Sequence, residues 1–150
     1  MPVVILEKKL EGVSVAALAR FAARARRAAR LHGEVAVLVA GDRALRALNR
    51  RFRRKDEPTD VLSFPAAGDG LAGDIAISAT TAARNARRFG HPLADELKVL
   101  ILHGMLHLAG YDHQRDHGEM AQREESLRRS LGLPASLIGR TRQRGRKDRP

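Results

Sequence analysis

The chain has 150 residues, of which 43% are apolar and 30% charged, a composition typical of one globular domain rather than of two domains or a disordered chain. It contains no cysteine, so disulfides and thiolate ligands are excluded and any metal must bind through His, Asp or Glu. The net charge of +11 favours polyanionic partners. No apolar run approaches the roughly 20 residues that cross a bilayer, and the charged start disfavours a signal peptide, so we expect a cytoplasmic protein that does not enter membranes.

The first part of the chain predicts alternating strands and helices. Val3–Leu6 is a short β-branched run typical of a strand. Ser14 is a suitable N-cap for a helix over residues 15–31, where apolar positions recur at helical spacing. Glu34–Ala40 predicts a second strand, and residues 42–49 predict a short helix.

The middle of the chain predicts a basic loop, a hairpin and a helix. Residues 49–60 are rich in arginine and lack a sustained apolar period, which indicates a loop. Val61–Pro65 and residues 74–78 predict two strands close enough to pair as a hairpin. A helix over residues 80–89 follows, so we expect a sheet of about four strands.

The last part of the chain contains the most apolar segment. Leu93–Leu108 has leucine, isoleucine and valine nearly all round a helix, which predicts a helix buried at the centre of the domain. Glu119–Leu131 predicts a final amphipathic helix. Residues 139–150 contain six basic residues and one acidic residue, and they predict a disordered basic tail after a single domain of residues 1–138.

The central helix carries a histidine pattern typical of a metal site. His103 and His107 are four residues apart, so both imidazoles lie on one helix face and can bind one ion. Gly110 allows the chain to leave the helix in a left-handed conformation, after which His113 can return as a third ligand. His117 is a rival third ligand in a more polar stretch, and we favour His113.

Three histidine ligands and an open coordination position are typical of catalytic zinc sites, because structural sites are closed by four protein ligands. A metal here would either lower the pKa of a bound water or polarise a phosphoryl oxygen. The spacing matches a zinc peptidase pattern, but Gly104 stands where peptidases have a glutamate base, which disfavours proteolysis. We expect Asp112 and Asp116 to be candidates for orienting a ligand histidine.

A second informative stretch runs over residues 52–65. Arginine binds phosphate through two hydrogen bonds and stabilises charge that develops on a phosphoryl group. The residues alone do not indicate which of the basic side chains between Arg50 and Lys55 has this role. With one tyrosine, four phenylalanines and no tryptophan, the chain has too few aromatic residues to stack successive bases, so nucleic-acid recognition should depend on phosphates.

These stretches resemble the YbeY family of bacterial rRNA maturation factors over most of the chain. The residues that carry the first motif are His103, Gly104, His107, Leu108, Gly110, Tyr111, Asp112 and His113. The residues that carry the second are Arg53, Lys55, Asp56, Pro58, Thr59, Asp60, Val61, Leu62, Ser63, Phe64 and Pro65, with Gly73, Asp74 and Ile75 between the motifs. Gly104 is what this family has at that position, whereas the basic tail exceeds the family pattern.

The resemblance implies an α+β fold, with a small mixed sheet of about four strands packed with about five helices around the central metal helix. It implies that His103, His107 and His113 bind zinc, and that Arg53 and His103 are catalytic. The activity implied is that of a single-strand-specific, metal-dependent endoribonuclease. The implied partners are the rRNA precursor, the small ribosomal subunit and its assembly factors, in 16S rRNA 3′-end maturation and ribosome quality control.

Several alternatives stay open from the sequence. The base can be a metal hydroxide, the RNA 2′-hydroxyl or an acid such as Asp60. An alternative function is an RNA-binding assembly factor whose metal is chiefly structural. A zinc hydrolase of another substrate is a further alternative.

Overall fold

The computed structural model describes residues 2–53, 59–66, 68 and 70–140, with Arg53 described by its backbone alone. The elements in chain order are β1 (Val3–Leu6), α1 (Val15–Ala28), β2 (Glu34–Ala40), α2 (Asp42–Arg53), β3 (Val61–Pro65), β4 (Leu71–Ser78), α3 (Ala79–Phe89), α4 (Leu93–Leu108) and α5 (Glu119–Leu131). Residues 137–140 form a further short helical segment. The predicted α+β class is therefore confirmed. No helix within these ranges has the length and apolarity to cross a bilayer.

The four strands form one mixed sheet in the order β1-β2-β4-β3. β2 is parallel to both β1 and β4, whereas β3 and β4 form the predicted antiparallel hairpin. β4 begins at Leu71, earlier than predicted, because its first residues pair with the start of β2. β3 is an edge strand: it pairs with β4 on one side, and no strand among the described residues pairs with its other side.

One face of the sheet packs against α1 and α4 and forms the main core. Val35, Val37 and Val39 alternate along β2 and are buried in this core, as the period of a strand requires. α4 is buried on most of its circumference, and α3 and α5 pack against it. This confirms the prediction of a central buried helix.

The other face of the sheet is covered in part by α2. Leu45 of α2 is buried there in a small cluster with Ala40, Leu62 and Ala76. The prediction that α2 ends near Asn49 was wrong, because the helix continues to Arg53. Tertiary contact explains the extension: Phe52 packs edge-on against Phe64 of β3 with ring centres 5.3 Å apart. Residues 54–58 of the predicted basic loop lie outside the described residues.

The packed part of the chain includes Arg140, which the sequence analysis placed in the basic tail. The Arg140 guanidinium donates to both carboxylate oxygens of Glu96, each at 2.6 Å, and both side chains are buried. A glutamate buried at the start of α4 requires a counter-charge, and Arg140 supplies it. Residues 141–150 lie outside the described part of the chain.

Candidate metal centre

α4 holds His103 and His107 side by side near its C-terminal end. Their rings are one helical turn apart, with centres separated by 4.7 Å. The Nε2 atoms of the two rings face each other at 3.1 Å. The two imidazoles therefore lie on one face of the helix, as predicted.

The chain turns back after α4 and brings His113 to the same place. Gly110 has a φ of 104°, in the left-handed region that favours glycine, and the Tyr111 amide donates to the Leu106 carbonyl at 3.1 Å. The His113 ring centre lies 5.6 Å from that of His103 and 5.7 Å from that of His107. One nitrogen from each of the three rings lies within 4.8 Å of the others. His117 is exposed and lies outside this cluster.

Hydrogen bonds on the outer nitrogens orient the two helical imidazoles. The Nδ1–H of His103 donates to Oε2 of Glu124 at 2.7 Å, and the Nδ1–H of His107 donates to the Tyr111 carbonyl at 3.1 Å. With Nδ1 of each ring held by these bonds, Nε2 of each ring is directed at the other ring. A metal ion placed between the two Nε2 atoms would bind both of them, since their separation of 3.1 Å suits two ligands of one ion.

The third histidine also fits a metal ligand. Within the described part of the chain, the buried Nδ1 of His113 has no hydrogen-bond partner. A buried polar nitrogen without a partner costs free energy, and a metal bond would remove that cost. The donor set, three imidazole nitrogens, suits a zinc-like ion. The cluster thus fits a metal ion on its own geometry.

Glu124 is a site residue that the sequence analysis missed. It lies on α5, is buried, and its second oxygen accepts from the Ile138 amide at 2.8 Å. The signal in the sequence was a glutamate at helical spacing from Met120 and Leu127, the apolar residues that α5 buries. A buried acid on an apolar stripe needs a specific partner, and here the partner is His103.

Asp112 and Asp116 accept hydrogen bonds from backbone amides of the segment after α4, and their charges oppose the lowering of the His113 pKa. Asp112 accepts from the Gln114 amide at 3.1 Å. Asp116 accepts from the Gly118 and Met120 amides, each at 2.9 Å, and so satisfies backbone donors at the start of α5. The carboxylate that the structure shows hydrogen-bonded to a ligand imidazole is that of Glu124 on α5, and the orienting role of Asp112 and Asp116 stays a prediction.

Burial and neighbouring charges affect the titration of the site. Burial, with help from His103 and His113, lowers the pKa of His107 to about 4. Burial and the charge of His103 also lower the pKa of His113. Both imidazoles are therefore neutral near pH 7, which is the form that binds a metal. Burial raises the pKa of Asp60, although the nearby His103 opposes that shift.

Gly104 has a packing role between the two ligand positions. A Cβ atom added there would lie 2.9 Å from two side-chain carbons of Ile75 on β4. The helix can approach the sheet this closely only because residue 104 has no side chain. The glutamate of a zinc peptidase therefore has no space at this position, which agrees with the expectation against proteolysis.

A cleft of about 1310 Å³ opens beside the histidines. Its walls include His103, His107 and His113, all five residues of β3, and Phe52 of α2. Because β3 is an edge strand, the cleft extends past that edge from the histidines to the face of the sheet that carries α2. The backbone of Arg53 ends α2 directly after Phe52, and the Arg53 side chain lies outside the described part of the structure.

The fold and the site together define a class of protein: an α+β domain built round a buried helix that presents three converging histidines to an open cleft. Residues 4–132 match the family model described as Endoribonuclease YbeY. The chain therefore belongs to the endoribonuclease YbeY family, and the resemblance stated from its motifs is confirmed.

Individual relatives agree with this assignment. The chain is 58% identical over 144 residues to the endoribonuclease YbeY of Koribacter versatilis, covering 96% of this chain and 95% of that protein. It is 50% identical over 124 residues to the endoribonuclease YbeY of Solibacter usitatus, covering 83% and 84% of the two chains. A Thermotoga maritima protein solved in solution has the same fold, with a TM-score of 0.62, 26% identity, and coverage of 99% and 97%.

Proposed function

We propose that this protein is a metal-dependent endoribonuclease that cuts single-stranded RNA at the three-histidine centre. The observation that carries the proposal is the convergence of three imidazole nitrogens within 4.8 Å at the wall of an open cleft. Membership of the endoribonuclease YbeY family and the net charge of +11 support RNA as the substrate. The names of the relatives favour this function over a purely RNA-binding assembly factor and over a hydrolase of another substrate.

The resident metal in this proposal is zinc, held by His103, His107 and His113. The all-nitrogen donor set and the family support zinc over a hard ion such as magnesium, which prefers oxygen ligands. A bound ion would supply Lewis-acid stabilisation of the negative charge that develops at the scissile phosphate. Glu124 and the Tyr111 carbonyl hold the two helical imidazoles in the orientation that this requires.

Arg53 has the role of neutralising phosphate charge during cleavage. Its place at the end of α2, next to the cleft residue Phe52, supports this role. A guanidinium is always charged and binds two phosphate oxygens at once, which a lysine cannot do. His103 contributes to catalysis as the ligand that Glu124 orients.

We infer a cellular role that membership of the family supports. The substrate is the 3′ end of the 16S rRNA precursor, and the protein acts in the cytoplasm with the small ribosomal subunit, its assembly factors and ribosome quality control. Residues 139–150 add basic charge to this RNA-binding protein.

The test is cleavage of an end-labelled RNA that contains single-stranded and duplex segments, with and without a chelator. Wild type should cut the single-stranded segment, and chelator should stop it. His107→Ala should not cut, and Arg53→Ala should cut roughly 100- to 1,000-fold more slowly, as when one charge-stabilising donor is removed. Arg43→Ala is the matched control, since Arg43 is an exposed arginine of the same helix and does not line the cleft. Cleavage by His107→Ala at the wild-type rate would contradict the proposal.

A further inference from the structure

Phe52 combines a fixed position with unusual exposure. The side chain is 55% exposed, although phenylalanine is ordinarily buried. Its ring nevertheless packs edge-on against Phe64 at an interplanar angle of 63°, which holds the ring in place. The exposed part of the ring lies at the cleft that contains the three histidines. An ordered aromatic ring open to a cleft is suited to stack against a planar ligand.

Positive charge lies next to this ring, over part of its face. The guanidinium of Arg51 lies 5.2 Å from the centre of the Phe52 ring. α2 carries five arginines and a single acidic residue, Asp42. An aromatic ring beside guanidinium groups is the combination that binds a nucleobase together with its phosphate.

β3 connects the aromatic pair to the metal centre. The Ser63 hydroxyl donates to the Gly104 carbonyl at 3.4 Å, next to the ligand position 103. The following residue, Phe64, contacts Phe52. Side chains alternate along a strand, so Ser63 lies toward α4 and Phe64 toward α2. One extended RNA strand passing over the edge of β3 can therefore reach both the histidines and Phe52.

We propose that Phe52 is the stacking platform for one unpaired nucleobase of the RNA strand whose phosphate lies at the histidines. The inference rests on the proposed function, and it adds a base subsite that selects single-stranded RNA. A base inside a duplex has both faces covered by its neighbours, so it cannot stack on Phe52 without leaving the helix. One platform is also compatible with the small number of aromatic residues in the chain.

The test measures binding and cleavage separately. Binding is measured in the presence of a chelator, which stops cleavage, with a single-stranded RNA that carries the fluorescent base 2-aminopurine at successive positions. With wild type, stacking on Phe52 should quench the fluorescence at one position. Phe52→Leu keeps an apolar side chain but removes the aromatic face, and it should abolish the quenching and weaken binding about 5- to 150-fold, the equivalent of about 1 to 3 kcal/mol per stacked base.

Two further variants sharpen the result. Phe52→Tyr keeps the aromatic face and should retain both quenching and affinity. Leu71→Ala removes another exposed apolar side chain, 51% exposed and outside the cleft, and should change neither. Quenching that persists in Phe52→Leu, with wild-type affinity, would overturn the stacking proposal. If Phe52→Leu weakens binding but unmodified RNA is never cut by wild type, the base subsite stands and the proposed nuclease activity fails.

Discussion

Two buried histidine–glutamate pairs in this molecule have the same contact distance but different surroundings. His103 lies 2.7 Å from Glu124, and His91 lies 2.7 Å from Glu96. Around His103, the second ring nitrogen faces His107, and His113 completes a cluster. Around His91, the glutamate also accepts two hydrogen bonds from Arg140, whose guanidinium stacks over Phe89 at 4.4 Å.

The difference shows that a short histidine–carboxylate contact does not by itself identify a metal site. The Glu96 pair is a closed ion cluster, in which a buried negative charge is balanced by an arginine from the far end of the chain. The Glu124 pair belongs to a cluster of three imidazole nitrogens that converge on one point and fit a metal ion. The Glu96 cluster stabilises the fold, whereas the Glu124 pair orients a ligand of the candidate metal site.

The largest expected effect is the loss of stability in Arg140→Ala, which tests the structural role of the Glu96 cluster. The change leaves the charge of Glu96 buried without its main partner, so the free energy of unfolding should fall by about 3 to 5 kcal/mol. Urea denaturation measures this loss, and metal affinity of the folded protein should stay at the wild-type value. Arg129→Ala is the matched control, because that exposed ion pair with Glu125 should contribute less than about 1 kcal/mol. Equal free energies of unfolding for Arg140→Ala and Arg129→Ala would contradict a structural role of the Glu96 cluster.

The next largest expected effect is weaker zinc binding by Glu124→Gln. The amide offers one acceptor oxygen where the carboxylate serves both His103 and the Ile138 amide, so His103 loses its orienting partner or the Ile138 amide loses its own. Zinc affinity, measured by competition with a chromophoric chelator, should fall about 10- to 100-fold. Glu125→Gln changes the neighbouring, partly exposed acid and should bind zinc as wild type does. Unchanged affinity in Glu124→Gln would show that the orienting contact is dispensable.

The smallest expected effect is the acid dependence of stability. Burial alone raises the pKa of Glu96, but the hydrogen bonds and charges of Arg140 and His91 outweigh it and hold the pKa below its ordinary value of 4.5. A lowered pKa means that this contribution to stability is full above about pH 4.5 and is lost as the pH falls through the folded-state pKa. The free energy of unfolding of Glu96→Gln should therefore depend less on pH below 4.5 than that of wild type. Parallel pH curves for the two proteins would contradict this linkage.

Much of the local structure was predictable because it depends on local patterns. β1, β2, β3, α4 and α5 have the predicted bounds, since alternation, apolar runs and glycine stops identify such elements. α1 ends at Ala28 rather than at residue 31, because Arg30 adopts a left-handed φ of 55°. α2 extends beyond Asn49 because Phe52 packs on a strand later in the chain. The prediction fails where a distant residue decides the boundary.

For the site, the sequence determined the ligand candidates, and the tertiary structure decided what surrounds them. His103 and His107 share a face by helical geometry, and Gly110 returns the chain toward His113, so the local sequence was sufficient. Glu124 and the aromatic pair of Phe52 and Phe64 reach the cleft from other elements, and no spacing rule predicts such meetings. The physical reason is that helix and strand periods fix which side chains share a face, whereas burial of apolar surface and pairing of buried charges decide which faces meet.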